Sequence, residues 1–199
     1  MFKIVVLLSG EGSNLQAIID QIHSGDIKAE ITAVISNRAD ANGLKHAEKA
    51  SISNVVLEHT RFSDREAFDQ SLAQIIDSYE PDLIVLAGFM RILSDEFVER
   101  FQEKLINIHP SLLPKYKGLH THKRVLENGD TEHGATVHYV VPALDSGEAI
   151  IQGVIPVKEY DTEESLAQRV HEIEHIIYPQ AVKWIAEGSK KDLEKVINF

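Results

Sequence analysis

The chain is predicted to adopt a single-domain α/β fold over residues 1–199, with a doubly wound, mostly parallel sheet and helices on both faces, a Rossmann-like arrangement. Short apolar runs alternate with segments of helical period, which indicates β–α–β units and therefore parallel strands joined by right-handed crossovers. A chain of 199 residues with 43% hydrophobic content buries roughly 70% of its unfolded surface, enough for one core. No repeat, low-complexity tract or linker divides it.

The first β–α unit contains a glycine loop. Residues 3–8 form a continuous apolar run, typical of a central parallel strand, and the loop Ser9-Gly-Glu-Gly-Ser-Asn14 leads into a helix. Such a loop directs backbone N–H groups and the positive end of the helix at a phosphate, with Ser13 or Asn14 as the cap. A tight turn without a ligand is the alternative, because the third glycine of the dinucleotide fingerprint and the Gly-Lys-Ser/Thr of a P-loop are missing.

The same alternation continues through the middle of the chain. The spacing predicts strands at 31–35, 54–57 and 83–86, and helices at 42–50, 63–79 and 95–101. The connection 87–93 is unusually apolar and follows the carboxyl end of a strand. It suits a flat heterocyclic ligand, and packing beneath the next helix explains the pattern equally well.

The stretch Leu105–Pro114 is the strongest candidate for a site. It is predicted to be a short buried strand that ends at Pro110, because proline cannot extend a strand ladder. Asn107 and His109 are two residues apart and therefore project from one face at the carboxyl end, where α/β sheets bind ligands. A buried histidine capped by a loop carbonyl is the equal alternative, since a titratable group at a strand end is only probabilistic evidence of function.

The last third is predicted to contain a helix at 123–128, strands at 135–141 and 149–157, and a long helix from 162 to about 177. Taken alone, Asp145 is a residue typical of the turn between these strands, with glycine two positions after it. The pair His120-x-His122 has no third ligand beside it, so helix capping or substrate contact is favoured over zinc.

The long helix contains His171-Glu172-Ile173-Glu174-His175, which matches the H-E-x-x-H pattern of zinc metalloproteases. The helical period leaves His171, Glu174 and His175 together on the polar face. The predicted buried stripe is Val170, Ile173, Ile176 and Ile177. We expect Pro179 to end the helix, and no third ligand follows at metzincin spacing. Glu194, in a lysine-rich tail and outside the residues that the structure describes, is the only remote candidate. A protease is therefore the alternative from another class, and no metal is expected.

Composition excludes several classes of function. A formal net charge of −11 argues against a nucleic-acid partner, and the lack of cysteine excludes a disulfide framework, a thiolate zinc site and a thiol nucleophile. The apolar start is too short for a signal peptide, and no apolar run approaches the ~20 residues of a membrane span. We therefore expect a cytoplasmic protein with no nucleic-acid or membrane partner. We also expect small-molecule substrates and a monomer or homodimer.

Five motifs together resemble the phosphoribosylglycinamide formyltransferase family of purine synthesis. They are Ser9-Gly-Glu-Gly-Ser-Asn14, Leu86-Ala-Gly-Phe-Met-Arg-Ile-Leu93, Asn107-Ile-His-Pro-Ser-Leu-Leu-Pro114, Gly118-Leu-His-Thr-His122 and Asp145. Their order and spacing match over nearly the whole chain. The third motif marks a wider formyl-transferring superfamily, whereas the first motif and the pair Glu174-His175 point to this member.

The resemblance implies direct transfer of a formyl group from 10-formyltetrahydrofolate, a co-substrate, to the amine of 5-phosphoribosylglycinamide, with Asn107, His109 and Asp145 as catalytic residues. The formyl oxygen gains negative charge during attack, and Asn107 and a protonated His109 are donors able to stabilise it. Asp145 would favour the imidazolium and assist proton transfer to the leaving folate nitrogen. Formyltetrahydrofolate deformylase, which resembles this triad but uses water in place of the amine, is the nearest alternative.

The resemblance also implies the binding residues. The phosphate and ribose would contact Gly12, Ser13, Asn14 and Glu174. The folate would contact Arg65, Met90, Arg91, Ile92, Leu93 and Asn107, and the turn 143–147 would close over the pteridine. Arginine suits the folate carboxylate because it can bind in a fork. Glu11 is unfavourable in a phosphate-binding loop, because its negative charge repels an anion unless the side chain points to solvent.

Overall fold

A computed structural model describes residues 1–189 and 195–199, and its elements alternate as the sequence predicts. The strands are β1 (Phe2–Leu8), β2 (Ala29–Ser36), β3 (Asn54–Val56), β4 (Leu83–Leu86), β5 (Leu105–His109), β6 (Glu132–Tyr139), β7 (Ala149–Pro156) and β8 (Lys195–Asn198). The helices are α1 (Ser13–His23), α2 (Gly43–Lys49), α3 (Arg65–Ser78), α4 (Asp95–Arg100), α5 (Thr121–Asn128) and α6 (Glu163–Ala186), with a 3₁₀ turn at His59–Arg61. The predicted α/β class with a mostly parallel sheet is confirmed.

The chain divides into two compact units, 1–106 and 107–199, so its organisation as one domain stays a prediction. In the first unit the strands lie in the order β3-β2-β1-β4, and every pair among them is parallel. Residues 4–8 of the central strand β1 are fully buried, which explains their continuous apolar run. Asp64 caps α3 by accepting a hydrogen bond from the Ala67 N–H at 2.8 Å, so the predicted start of this helix is confirmed.

The second unit combines both kinds of strand pairing. Strands β6 and β7 are antiparallel, and β8 pairs with β7 in parallel. Helix α6 packs on β6 and β7, and its buried residues Ile173 and Ile177 lie against Gly153, where a larger side chain would clash. Strand β5 begins in the first unit and ends at His109 in the second, immediately before Pro110 as predicted. No helix among the described residues is long and apolar enough to cross a membrane.

Two predictions about the last helix are wrong. Helix α6 continues through Pro179 to Ala186, because Ala181 and Val182 beyond the proline are fully buried and their packing offsets the lost backbone hydrogen bond. The predicted stripe also fails at one position, since Ile176 is 52% exposed whereas Glu174 is only 7% exposed. The buried face of the helix is therefore rotated away from Ile176 and toward Glu174. It includes the Glu174 carboxylate, which the helical period predicted to be exposed.

A close backbone approach in the antiparallel pair gives a stability prediction. A Cβ added at Gly134 on β6 would overlap the carbonyl oxygen of Gly153 on β7, whereas a Cβ at Gly10 meets nothing within 4 Å. We expect Gly134→Ala to lower the free energy of unfolding by about 3 kcal/mol or more, because the strands must separate. The Gly10→Ala control should change it by less than about 0.5 kcal/mol in urea titrations. Equal stabilities of the two variants would contradict the observed strand pairing.

Candidate active site in the second unit

His109 and Asp145 lie side by side. Strand β5 ends at His109, and the turn between β6 and β7 brings Asp145 back with a backbone φ of 45°, a left-handed conformation that aspartate tolerates better than most residues. The Nδ1 atom of His109 is 3.5 Å from Oδ2 of Asp145, and the two side chains are only 8% and 7% exposed. The carboxylate and the imidazole are therefore in contact with little solvent between them.

The other ring nitrogen of His109 also faces an acceptor. Nε2 donates a hydrogen bond to the carbonyl oxygen of Tyr116 at 2.9 Å. Only the imidazolium has a proton on both nitrogens, so this is the form that can donate to both the carboxylate and the carbonyl. The ring orientation is therefore fixed from two sides, and the buried-histidine alternative from the sequence is correct in part, because a loop carbonyl does cap the ring.

Asp145 has two further neighbours. The Gly118 N–H donates to its Oδ2 atom at 2.9 Å, and Nε2 of His138 lies 3.9 Å from its Oδ1 atom. Nδ1 of His138 donates to the carbonyl of Tyr139 at 2.8 Å, and burial lowers the pKa of His138 below its usual value. A neutral His138 leaves the negative charge of Asp145 directed at His109.

Sequence reasoning missed His138. It lies on β6 two residues after Thr136, so strand alternation puts both side chains on one face, and both are buried. The sequence signal that could have identified His138 was a histidine and a threonine on the same buried face of a strand. The same strand begins at Glu132, three residues before the predicted start, and helix α5 begins two residues early at Thr121.

The two histidines of the His120-x-His122 motif, at the start of α5, have different environments. His120 is exposed and occupies the cap position with a φ of 57°, but its side chain makes no capping hydrogen bond, so side-chain capping by His120 is wrong. His122 instead pairs with His133 on β6, with 3.0 Å between Nδ1 and Nε2. Burial lowers the pKa of His122, and burial and the proximity of His122 lower the pKa of His133 to about 4.

The glycine loop of the first unit lies at the start of α1. Gly12, with a φ of 75°, is the cap residue, so Ser13 and Asn14 are the first helical residues and the prediction of a side-chain cap is wrong. The left-handed backbone and the close approach of the Gly43 Cα both require glycine at this position. The exposed Glu11 carboxylate accepts hydrogen bonds from the side-chain amide of Asn42 at 3.1 and 3.2 Å, at the protein surface.

The apolar connection after β4 is exposed. Met90 and Ile92 are 80% and 69% exposed, so they do not pack beneath α4, and Ser9 Oγ fixes the loop by accepting from the Met90 N–H at 2.8 Å. The Arg91 guanidinium lies 4.9 Å above the ring of Phe68, and Leu93 is half-buried. Arg65, the first residue of α3, is exposed. Large apolar side chains exposed on a loop are typical of a binding surface.

The H-E-x-x-H sequence on α6 has a different environment from the one expected. Glu174 is buried, whereas the His171 side chain is 51% exposed and stacks edge-on with His175, with 4.8 Å between ring centroids. Across residues 1–189 and 195–199, no group of three or more histidine, aspartate or glutamate side chains could hold a metal ion. The three-ligand arrangement that a zinc protease needs is therefore not seen in this part of the chain.

A family model, a curated relative and a solved structure all indicate the same family. Residues 2–182 match the family model described as formyl transferase. The phosphoribosylglycinamide formyltransferase of Escherichia coli K12 is 53% identical, over 95% of this chain and 89% of its own length. The solved phosphoribosylglycinamide formyltransferase of Coxiella burnetii, in complex with CHES, is also 53% identical, with a TM-score of 0.90 over 94% of this chain and 88% of that chain.

The His122–His133 pair gives a pH prediction. Above pH 6.5 both histidines are neutral in the folded and unfolded states. Between pH 6.5 and about 4, unfolded His133 binds a proton that the folded form refuses, so stability falls as pH falls, by up to about 3 kcal/mol. Urea titrations at pH 7.5 and 5 should show about 2 kcal/mol of this loss, and His133→Gln should reduce the slope. An unchanged slope in His133→Gln would contradict a neutral pair.

Proposed function

The chain belongs to the formyl transferase family and acts, like its curated relatives, as a phosphoribosylglycinamide formyltransferase of purine biosynthesis, and we propose that its formyl donor is 10-formyltetrahydrofolate. The resemblance inferred from the five sequence motifs is thereby confirmed at the level of the family. We further propose that Asn107, His109 and Asp145 carry the reaction. The contact between His109 and Asp145, 3.5 Å long and nearly free of solvent, is the observation that carries this assignment.

The proposed chemistry is direct transfer. The amine nitrogen of phosphoribosylglycinamide attacks the formyl carbon, the bond from that carbon to the folate nitrogen breaks, and a proton from the amine moves to the departing nitrogen. His109 Nδ1 faces Asp145, so the Nε2–H is the donor left for the formyl oxygen, which would share this hydrogen with the Tyr116 carbonyl. Asn107, on the same face of β5, would supply a second donor to the oxygen.

Asp145 has two proposed tasks. Its charge stabilises the imidazolium of His109 while the formyl oxygen becomes negative, and its carboxylate can relay the proton from the amine toward the folate nitrogen. The lowered pKa of His138 supports this assignment, because a neutral neighbour does not compete with His109 for the charge of Asp145. The reaction needs no covalent intermediate on these residues.

We propose that the substrate phosphate binds at the start of α1. Gly12, Ser13 and Asn14 present backbone N–H groups there, and the positive end of an 11-residue helix favours an anion. Glu11 is the negatively charged residue of the glycine loop, and its carboxylate accepts hydrogen bonds from the side-chain amide of Asn42. Glu174 would accept hydrogen bonds from the ribose hydroxyls, a role that suits a buried carboxylate better than a surface one.

The proposed folate site uses the exposed apolar loop. The side chains of Met90, Ile92 and Leu93 and the backbone around Arg91 would line the flat pteridine, and Asn107 would contact the folate at the reacting end. Exposure of Met90 and Ile92 supports this proposal, since an apolar loop of this kind is stabilised when a ligand covers it. Arg65, exposed at the start of α3, would bind the folate carboxylate.

The remaining expectations become proposals of the same kind. We propose a cytoplasmic monomer or homodimer whose partners are its small-molecule substrates, without nucleic acid, membrane or metal. A formal net charge of −11 supports the lack of a nucleic-acid partner, because such binding depends on lysine and arginine contacts to phosphates.

An absorbance assay for tetrahydrofolate formation tests the function. With 10-formyltetrahydrofolate present, product should form only when phosphoribosylglycinamide is added, because the amine and not water is the nucleophile. Formation at the same rate without phosphoribosylglycinamide would overturn the transferase assignment in favour of deformylation.

The central catalytic assignment predicts the behaviour of Asp145→Asn. This isosteric change removes the charge facing His109, and we expect turnover to fall roughly 10²–10⁴-fold while the thermal unfolding midpoint stays close to that of the wild type. Asp40→Asn, which neutralises an exposed carboxylate paired with Arg38, is the matched control and should keep its turnover. Near-normal turnover in folded Asp145→Asn would remove Asp145 from the mechanism.

A further inference from the structure

Arg124 holds the loop 113–120, which connects β5 to α5. From α5, its Nη1 atom donates to the carbonyl oxygens of Lys117 at 2.7 Å and of Leu119 at 3.3 Å. Its guanidinium also lies 5.1 Å above the ring of Tyr116. Helix α5 is itself firmly anchored, because Val125 is fully buried and Thr121 is 3% exposed, so Arg124 fixes the loop to a rigid element.

The same loop supplies both backbone groups that contact the catalytic pair. The Tyr116 carbonyl accepts from Nε2 of His109, and the Gly118 N–H donates to Oδ2 of Asp145. Gly118 lies between the two residues whose carbonyls Arg124 binds, and Tyr116 is the residue whose ring Arg124 covers. The guanidinium thus restrains the loop on both sides of Gly118 and at Tyr116.

Other contacts also hold the loop, among them the hydrogen bonds that the Tyr116 hydroxyl donates to Asp130 and accepts from Asn128. Ser111 Oγ donates to the Lys115 carbonyl at 2.7 Å, which fixes the start of the loop to a fully buried residue. Lys117 Nζ donates to Ser146 Oγ at 2.6 Å, a contact between two exposed side chains that leaves the loop backbone itself unbound. Apart from His109 and Asp145 themselves, the half-buried Arg124 is the charged side chain that binds the backbone of the loop centre in the part of the chain that the structure describes.

We propose that Arg124 is a positioning residue for formyl transfer, which acts through the loop backbone to fix the ring of His109 and the carboxylate of Asp145. This inference rests on the proposed function, because it takes these two residues to be catalytic. Arg124 touches neither of them. A looser loop leaves substrate contacts in place but lets the Gly118 N–H and the Tyr116 carbonyl drift from the pair, so the loss should fall on kcat rather than on KM.

Three variants of the full chain test the proposal. Arg124→Gln removes the charge and the paired donors, Arg124→Lys keeps the charge but not the planar fork, and Lys123→Gln changes the exposed neighbour that pairs only loosely with Glu127 at 3.8 Å. We expect Arg124→Gln to lower kcat roughly 10-fold, to leave both KM values within about two-fold, and to speed amide exchange at Gly118 roughly 100-fold. Arg124→Lys should recover part of both effects, and Lys123→Gln should match the wild type.

The outcomes separate this inference from the assignment on which it rests. Gly118 exchange is measured without substrates, so unchanged exchange in Arg124→Gln would overturn the restraint whatever the turnover. Faster exchange with an unchanged kcat, or an equal loss of kcat in Lys123→Gln, would overturn the positioning role. A wild-type chain that shows slow Gly118 exchange but no formyl transfer would contradict the proposed function instead.

Discussion

The buried contact between His109 and Asp145 is the interaction around which a strand end, a turn and a loop of the second unit are arranged. A carboxylate and an imidazole that are 7% and 8% exposed lose nearly all of their hydration, and their attraction compensates for this only if their remaining donors and acceptors are satisfied. The fold meets this demand with backbone groups, the Tyr116 carbonyl on one side and the Gly118 N–H on the other. The strand end, the left-handed turn and the loop between them are all needed to bring these groups together.

Binding of anionic substrates would depend on local groups, because a formal net charge of −11 gives this chain a global field that repels a phosphate and a folate carboxylate. The sites we propose use a helix N-terminus at Gly12 and individual arginines such as Arg65, whose attraction acts at short range. In the second unit Arg124 binds neutral carbonyl groups, and the role we propose for it is to order the loop rather than to attract an anion.

Features that depend on short-range sequence were predictable. The apolar run of β1, the end of β5 before Pro110 and the Asp64 cap follow from burial, from the missing N–H of proline and from a side chain that reaches its own helix. The motif that contains Asn107 and His109 was recognisable for the same reason. Asp145 required the family resemblance, because nothing in its local sequence distinguishes it from an ordinary turn residue.

Features that depend on tertiary contacts were not predictable. Helix α6 continues through Pro179 because the residues that follow it, Ala181 and Val182, are buried in the core. Glu174 is buried although helical periodicity predicted it to be exposed. The roles of His138 and Arg124 arise from partners that are distant or lie across a loop, at separations that no periodicity encodes. The motif around Asn107 and the family resemblance thus predicted His109 and Asp145 as site residues, whereas the groups that contact them became visible only in the folded chain.

The most direct test of the account is a double-mutant cycle on the single-turnover rate of formyl transfer, with Asp145→Asn, His109→Gln and the combined variant. If the two residues act as one unit, the combined variant should be no more than about three-fold slower than the slower single variant. Rate losses that multiply in the combined variant would show that His109 and Asp145 act independently, and would contradict the central role of their contact.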